Sequence, residues 1–225
     1  PYKSIKFIVI HYTGMQSERE SIKRLCDPNS KVSSHYLINA NGKIYRLVKD
    51  NQIAWHAGNS CWGKYKNLNK DSIGIELTNK GHEFGYSNFK KKQLISLTNI
   101  CKFLIKKYKI KKKNILGHSD IAPTRKVDPG EKFPWKNFAK KNIGIWHQCK
   151  PGLLKKLRKA KIIKKEDKIN FVRNLKKIGY CISSNKSSLL KKTIRAFQMR
   201  FRKELINGVV DEECLIIAQN IAKNL

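Results

Sequence analysis

"IKFIVIHYT", residues 5–13, decides the fold. Its apolar, β-branched side chains run on without alternation, the pattern of a strand buried on both faces. Such a strand sits at the centre of a sheet and needs a covering layer on either side. The apolar run ends at His11, where a strand reaches the rim of its sheet and side chains become available for function. Further strands surround it in the sequence. "SIGIELTN" (72–79) is one, and "KNILG" (113–117) is a short one. "SSHYLINANGKIYRLVKD" (33–50) reads as two runs joined at Asn41-Gly42, a hairpin signal. Helices come between. "ESIKRL" suggests a short one, and "FKKKQLISLTNICKFLIKKY" (89–108) places Leu94, Leu97, Cys101, Leu104 and Ile105 at helical spacing with lysines outward. The fold class predicted is α/β, a central mixed β-sheet flanked by helices.

After "WHQCKPG" the pattern changes. From residue 153 onward no strand is predicted. "EDKINFVRNLKKIGY", "SLLKKTIRAFQMRFRKE" and "DEECLIIAQNIAKNL" read as three helices of a small all-α domain. The boundary falls near Pro151-Gly152, giving domains 1–150 and 151–225, with 153–165 as a linker or an extra helix.

The 225 residues include 40% hydrophobic side chains, enough for a substantial core and against disorder. No run of 18 apolar residues exists, so no transmembrane segment is expected. The chain opens on Pro1 rather than Met, which leaves room for a leader removed ahead of it. The net charge is +33, attractive to polyanions such as nucleic acid, anionic lipid or an acidic wall polymer. Of the basic residues, 30 fall in 1–150 and 19 in 151–225, so no basic tail carries the excess. A composition biased towards Lys, Ile and Asn is an equal explanation for it. The basic runs "KKYKIKKK" and "KKLRKAKIIKK" read as solvated helix faces, and no nucleic-acid recognition motif accompanies them. None of the six cysteines forms a CxxC pair, which argues against a cysteine zinc site. Most are expected to be free, buried thiols.

The chemistry gathers in "GHSDIAPTRKVDPG" (117–130), a proline-broken segment expected to be mostly loop. His118 ends a short strand there, and Asp128 follows ten residues later. With His11 they offer two imidazoles and a carboxylate, a set that suits a three-ligand zinc site with one position open. A rival set, His118 and Asp120 with a distal His147, would suit a non-haem iron centre, but that chemistry goes with an all-β barrel and the long helix argues against it. Glu76 lies inside an apolar strand, where a carboxylate needs a task or a partner. Lys126 stands two residues before Asp128, on the same side of an extended segment. Glu76 as base and Lys126 as oxyanion partner, or a plain Glu76–Lys126 ion pair, are equal readings of the spacing.

In this order, "IVIHYT", "SSHYLI", "WHAG", "IGIELTN", "GHSDIAPTRKVDPG" and "FPW" resemble the zinc-dependent N-acetylmuramoyl-L-alanine amidases of the type-2 family. The resemblance covers roughly residues 5–140. It implies one Zn2+ per chain held by His11, His118 and Asp128, with Glu76 as catalytic acid/base and Lys126 stabilising the oxyanion. It implies peptidoglycan or muropeptides as substrate, 1,6-anhydro forms included, and hydrolysis of the amide between the muramic lactyl group and L-alanine. His35, Tyr36, Trp55, His56, Ala57, Asn79 and Arg125 would line the substrate groove. Trp62 is a candidate for stacking on a sugar, and His82 and His147 are read as surface or core residues. Asp120 becomes a structural residue of the loop. "IRAFQ" followed by "NGVVDEEC" resembles the helical peptidoglycan-binding domain of wall hydrolases. A three-helix bundle that only packs on the enzyme is the alternative. The expected protein is a monomer of the periplasm or cell envelope, with the cytoplasm as the alternative.

Overall fold

The computed structural model describes residues 4–160, 164–182 and 187–225. Residues 161–163, part of the expected linker and of the second basic run, lie outside the described residues. Among the described residues, seven strands are present: β1 (Phe7–Tyr12), β2 (Tyr36–Ile38), β3 (Ile44–Arg46), β4 (Cys61–Trp62), β5 (Tyr65–Lys66), β6 (Ser72–Leu77) and β7 (Ile115–Gly117). The helices are α1 (Glu18–Cys26), α2 (Gly81–Phe84), α3 (Lys91–Tyr108), α4 (His118–Ile121), α5 (Trp135–Ala139), α6 (Pro151–Leu157), α7 (Lys165–Ile178), α8 (Ser187–Phe201) and α9 (Glu212–Lys223).

The main sheet has the order β3-β2-β6-β1-β7. β1 is flanked by β6 and β7, both parallel to it, as its unbroken apolar run requires. β2 also runs parallel to β6, and β3 adds the antiparallel edge through the predicted hairpin. That hairpin is shorter than the two runs suggest. Asn39 gathers the turn, its Oδ1 accepting from the amides of Asn41 and Lys43, while Gly42 supplies the positive φ of 86°.

Side-chain alternation sorts the sheet into two faces. Ile8 and Ile10 of β1 and Ile73, Ile75 and Leu77 of β6 turn to one cluster. There α3 covers them with Leu97, Cys101 and Leu104, as its spacing predicts, and with Ile100; Leu94 and Ile105 pack at the margin, partly buried. Phe7, Val9 and Leu116 turn to the other cluster. Its cover comes largely from beyond residue 150, through Phe171, Leu175, Phe197, Ile217 and neighbours of α7, α8 and α9. One hydrophobic cluster therefore crosses the expected boundary at 150/151.

Four points refine or correct the expectations. Cys61 and Cys181 form a disulfide across 120 residues, while Cys26, Cys101, Cys149 and Cys214 are free. Trp62 is not a solvent-facing platform; it is 5% exposed and meets the Tyr180 ring edge-on at 4.9 Å. Part of the proline-broken segment folds as α4, because Asp120 Oδ2 accepts the Gly117 amide at 2.7 Å and closes the helix start. No Glu76–Lys126 ion pair occurs among the described residues, and Glu76 Oε2 is buried without a hydrogen-bond partner.

Candidate metal centre and its cleft

His11 and Glu76 are register partners on the adjacent parallel strands β1 and β6. Register partners point to the same face, so an imidazole and a carboxylate stand side by side near the carboxyl ends of the strands. β7 ends next to them and passes directly into His118. This is the end of a parallel sheet where functional groups collect. The loop after α4 returns Asp128 to the same point, and the Ser119 amide donates to the Asp128 carbonyl at 2.8 Å.

His11 Nδ1 lies 3.0 Å from His118 Nδ1 and 3.0 Å from Asp128 Oδ2, and His118 Nδ1 lies 3.1 Å from that oxygen. All three residues are buried. The opposite ring nitrogens have their own neighbours. His118 Nε2 meets the Ala57 carbonyl at 3.2 Å, nearer than Arg125 Nη2 at 3.4 Å; donation to that carbonyl in the neutral ring leaves Nδ1 with its lone pair. His11 Nε2 meets His56 Nδ1 at 3.0 Å, His56 Nε2 meets Ser72 Oγ at 3.1 Å, and Ser72 donates to the Leu68 carbonyl at 2.6 Å. Donation along that chain likewise leaves His11 Nδ1 bare. Three lone-pair atoms thus converge within 4.8 Å. Crowding of that kind is repulsive without a cation, and two imidazoles with one carboxylate suit zinc.

Electrostatics agree. Burial first, then His118, lowers His11 to about 4, so it is neutral near pH 7 and has no proton to shed before ligation. Burial works to raise Asp128, but the adjoining His118 and His11 outweigh it and hold it well below the usual range, so it stands as a carboxylate. Burial and the Asp128 charge push Glu76 up to about 8, with Lys126 opposing.

A cleft of about 800 Å³ opens over this trio. Glu76, Lys126, His56 and Arg125 share its lining with the three candidate ligands. Arg125 Nε donates to the Asn59 carbonyl at 3.0 Å, and its Nη2 donates to Ala57 O. The other expected groove residues lie elsewhere. His35 is fully buried, accepting the Gly74 amide on Nδ1 with Nε2 at the Gln52 carbonyl. The Tyr36 hydroxyl donates to Asp50 on the α3 side of the sheet. Asn79 braces a turn, its Nδ2 donating to the Ser87 carbonyl and its Oδ1 accepting from Gly81. Trp55 is 54% exposed and outside the cleft lining. Ala57 is buried, and its carbonyl serves His118. Sequence reasoning missed Arg24 and Tyr12 on the cleft wall, and His82, read as surface or core, is on its rim. His82 Nδ1 meets the Tyr12 hydroxyl at 2.8 Å and its Nε2 meets Glu131 at 3.1 Å. No local pattern marks Arg24 or His82, because α1 and α2 carry them to the site only in the fold, while Tyr12 ends β1 directly after His11.

A mixed sheet presenting a buried His-His-Asp trio beside an unpartnered carboxylate defines a hydrolase built on a metal-ligand set. The family model for N-acetylmuramoyl-L-alanine amidases, Amidase_2, matches residues 1–131. The N-acetylmuramoyl-L-alanine amidase AmiD of Escherichia coli K12 is 37% identical over 97% of this chain and 82% of its own length. The chain belongs to this family and is an N-acetylmuramoyl-L-alanine amidase. Among solved structures, E. coli AmiD in complex with the substrate anhydro-N-acetylmuramic acid-L-Ala-D-γ-Glu-L-Lys superposes with a TM-score of 0.86 at 34% identity, over 100% of this chain and 91% of that one. AmpDh3 of Pseudomonas aeruginosa in complex with an anhydromuramic pentapeptide gives 0.86 at 31% identity, over 100% of this chain and 94% of that one.

Proposed function

We propose that this amidase holds one zinc ion at His11, His118 and Asp128 and cuts anhydro-muropeptides between the muramic lactyl carbonyl and L-alanine. The carrying observation is the convergence of three lone-pair atoms beside the unpartnered Glu76 Oε2. Zinc, when bound, supplies Lewis acidity to water and to the substrate carbonyl. Glu76 accepts the proton of the attacking water on its free oxygen and later gives it to the departing alanine nitrogen. Lys126, exposed at the cleft rim, faces the negative oxygen of the tetrahedral adduct. Water is consumed, leaving a muramoyl carboxylic acid and a free amine on the stem peptide. The anhydro-muropeptides in the two matching complexes support the substrate choice.

The Cys61–Cys181 disulfide supports an oxidising compartment, hence the periplasm or envelope. The C-terminal helices, 151–225, are proposed to contribute to wall binding as well as to the core.

Mass spectrometry of products from whole sacculi and from soluble anhydro-muropeptides tests the reading. Stem peptides freed from the soluble substrate, abolished by Glu76→Ala with zinc still bound, are expected. Undiminished cleavage by Glu76→Ala would sink the assignment of the base. Products cut within the glycan or the peptide would sink the reaction.

A further inference from the structure

Two side chains of the C-terminal region, Tyr180 and Arg200, both meet Asp120. Asp120 is 1% exposed and stands two residues after His118. Its Oδ1 accepts the Tyr180 hydroxyl at 2.7 Å. Its Oδ2 accepts the Gly117 amide at 2.7 Å and is ion-paired with Arg200 Nη1. The other arm of that guanidinium, Nη2, donates to the Ile115 carbonyl of β7 at 3.0 Å. The Trp135 ring lies against it, 4.0 Å from guanidinium carbon to ring centroid.

These contacts bracket His118. Ile115 lies three residues before it, Gly117 one before and Asp120 two after. The fork of Arg200 therefore ties the strand that delivers His118 to the helix that begins with it. The constraint extends to the third ligand, because the Ser119 amide bonds the Asp128 carbonyl. The energetics point the same way. A carboxylate buried this deeply is costly without a cation, and Arg200, 4% exposed, is the cation paired with it. Without that pairing Asp120 would turn towards water and draw the start of α4 with it. Metal ligands tolerate displacements of only about 0.5 Å.

We infer that Arg200 and Tyr180 are positioning residues for His118, acting through Asp120, so that the C-terminal helices complete the metal centre. The inference rests on the zinc reading of His11, His118 and Asp128.

The full chain tests it with Tyr180→Phe, Arg200→Lys and Arg200→Met. Zinc affinity is measured by competition with a chelator, kcat and KM are measured on a soluble anhydro-muropeptide, and melting of the zinc-free protein is followed separately. Tyr180→Phe is expected to weaken zinc about tenfold and lower kcat with KM little changed. Arg200→Met is expected to weaken zinc about a hundredfold, and Arg200→Lys to recover part of that loss by restoring the charge without the fork. A purely structural role predicts lower melting temperatures with unchanged zinc affinity and kcat in the molecules that remain folded, and that result overturns the inference. If Arg200→Met does not fold, Tyr180→Phe and Arg200→Lys decide the matter by the same criteria. A wild-type chain that binds no zinc overturns the zinc reading itself. A wild type that binds it, alongside a Tyr180→Phe chain that binds it equally well, overturns the positioning role alone.

Discussion

Glu76 gives the chelated protein a pH signature that a single substitution can read. With zinc chelated, the folded state holds a proton on Glu76 up to about pH 8, because burial and Asp128 disfavour its charge. The unfolded chain releases that proton above its ordinary value of 4.5. The folded state binds the extra proton between these values, so this group's stabilising contribution falls as pH rises from 4.5 to about 8. His11 works in the opposite direction. Its folded value of about 4 lies below the ordinary 6.5, so stability falls as pH drops through that window. The two slopes oppose one another between 4.5 and 6.5, so thermal melts of the chelated protein are expected to decline only above about pH 6.5, and Glu76→Gln to remove that decline while leaving the acid limb. A slope that survives the substitution assigns the proton to another group. The same residue was conspicuous in the sequence because a carboxylate interrupts an apolar strand. His11 and His118 were legible for a similar reason, each ending or following a short apolar run, and Asp128 stood out as the carboxylate ten residues on in the proline-broken segment. His35 and Tyr36 were harder to place. Their motif is as distinctive as the others, but only the fold shows that their polar atoms bond Gly74 and Asp50 and that neither residue lines the cleft.

Among the elements, β6 shows how a small residue in a strand positions a ligand in its neighbour. Gly74 lies on the Glu76 face, and a Cβ there would come within 2.4 Å of His56 Cγ. The missing side chain lets the His56 ring lie flat against the sheet, where its Nδ1 meets His11 Nε2. Gly74→Ala is expected to push His56 away, release the His11 ring from its orientation and weaken zinc by about tenfold. Chelator competition checks this, and unchanged affinity would mean that His56 does not orient His11. Most elements were readable before the fold was known. The unbroken run of β1, the helical spacing of α3 and the three terminal helices each carry a periodicity set by their own burial. β2 and β3 were read too long, because the alternation of "SSHYLINANGKIYRLVKD" persists where the paired backbone does not, and only Tyr36–Ile38 and Ile44–Arg46 pair. The start of α4 has the sequence signature of a loop, because the bond that closes it comes from the Asp120 side chain and not from helical spacing.

At the scale of the whole molecule, the run that opens the chain required two covering layers, and its sequence could not say where the second would come from. It comes from α7, α8 and α9, whose own amphipathic patterns look self-sufficient as a bundle. Physical pairing across long separations leaves no local trace, and the Cys61–Cys181 bond, with no short-range spacing motif, is another case. That bond joins the β4–β5 hairpin to the segment after α7, beside Trp62 and Tyr180. Closing 120 residues removes much of the unfolded chain's freedom, so replacing both cysteines by serine is expected to cost about 2–5 kcal/mol. Because Phe7 and Val9 share a cluster with Phe197 and Ile217, the loss should appear as a lower midpoint of a single calorimetric transition. Two transitions, with only the later-numbered helices destabilised, would instead mean that the region beyond residue 150 folds by itself. In that case its hold on Asp120 would be released before the sheet melts, and zinc affinity should fall at the first transition rather than with global unfolding.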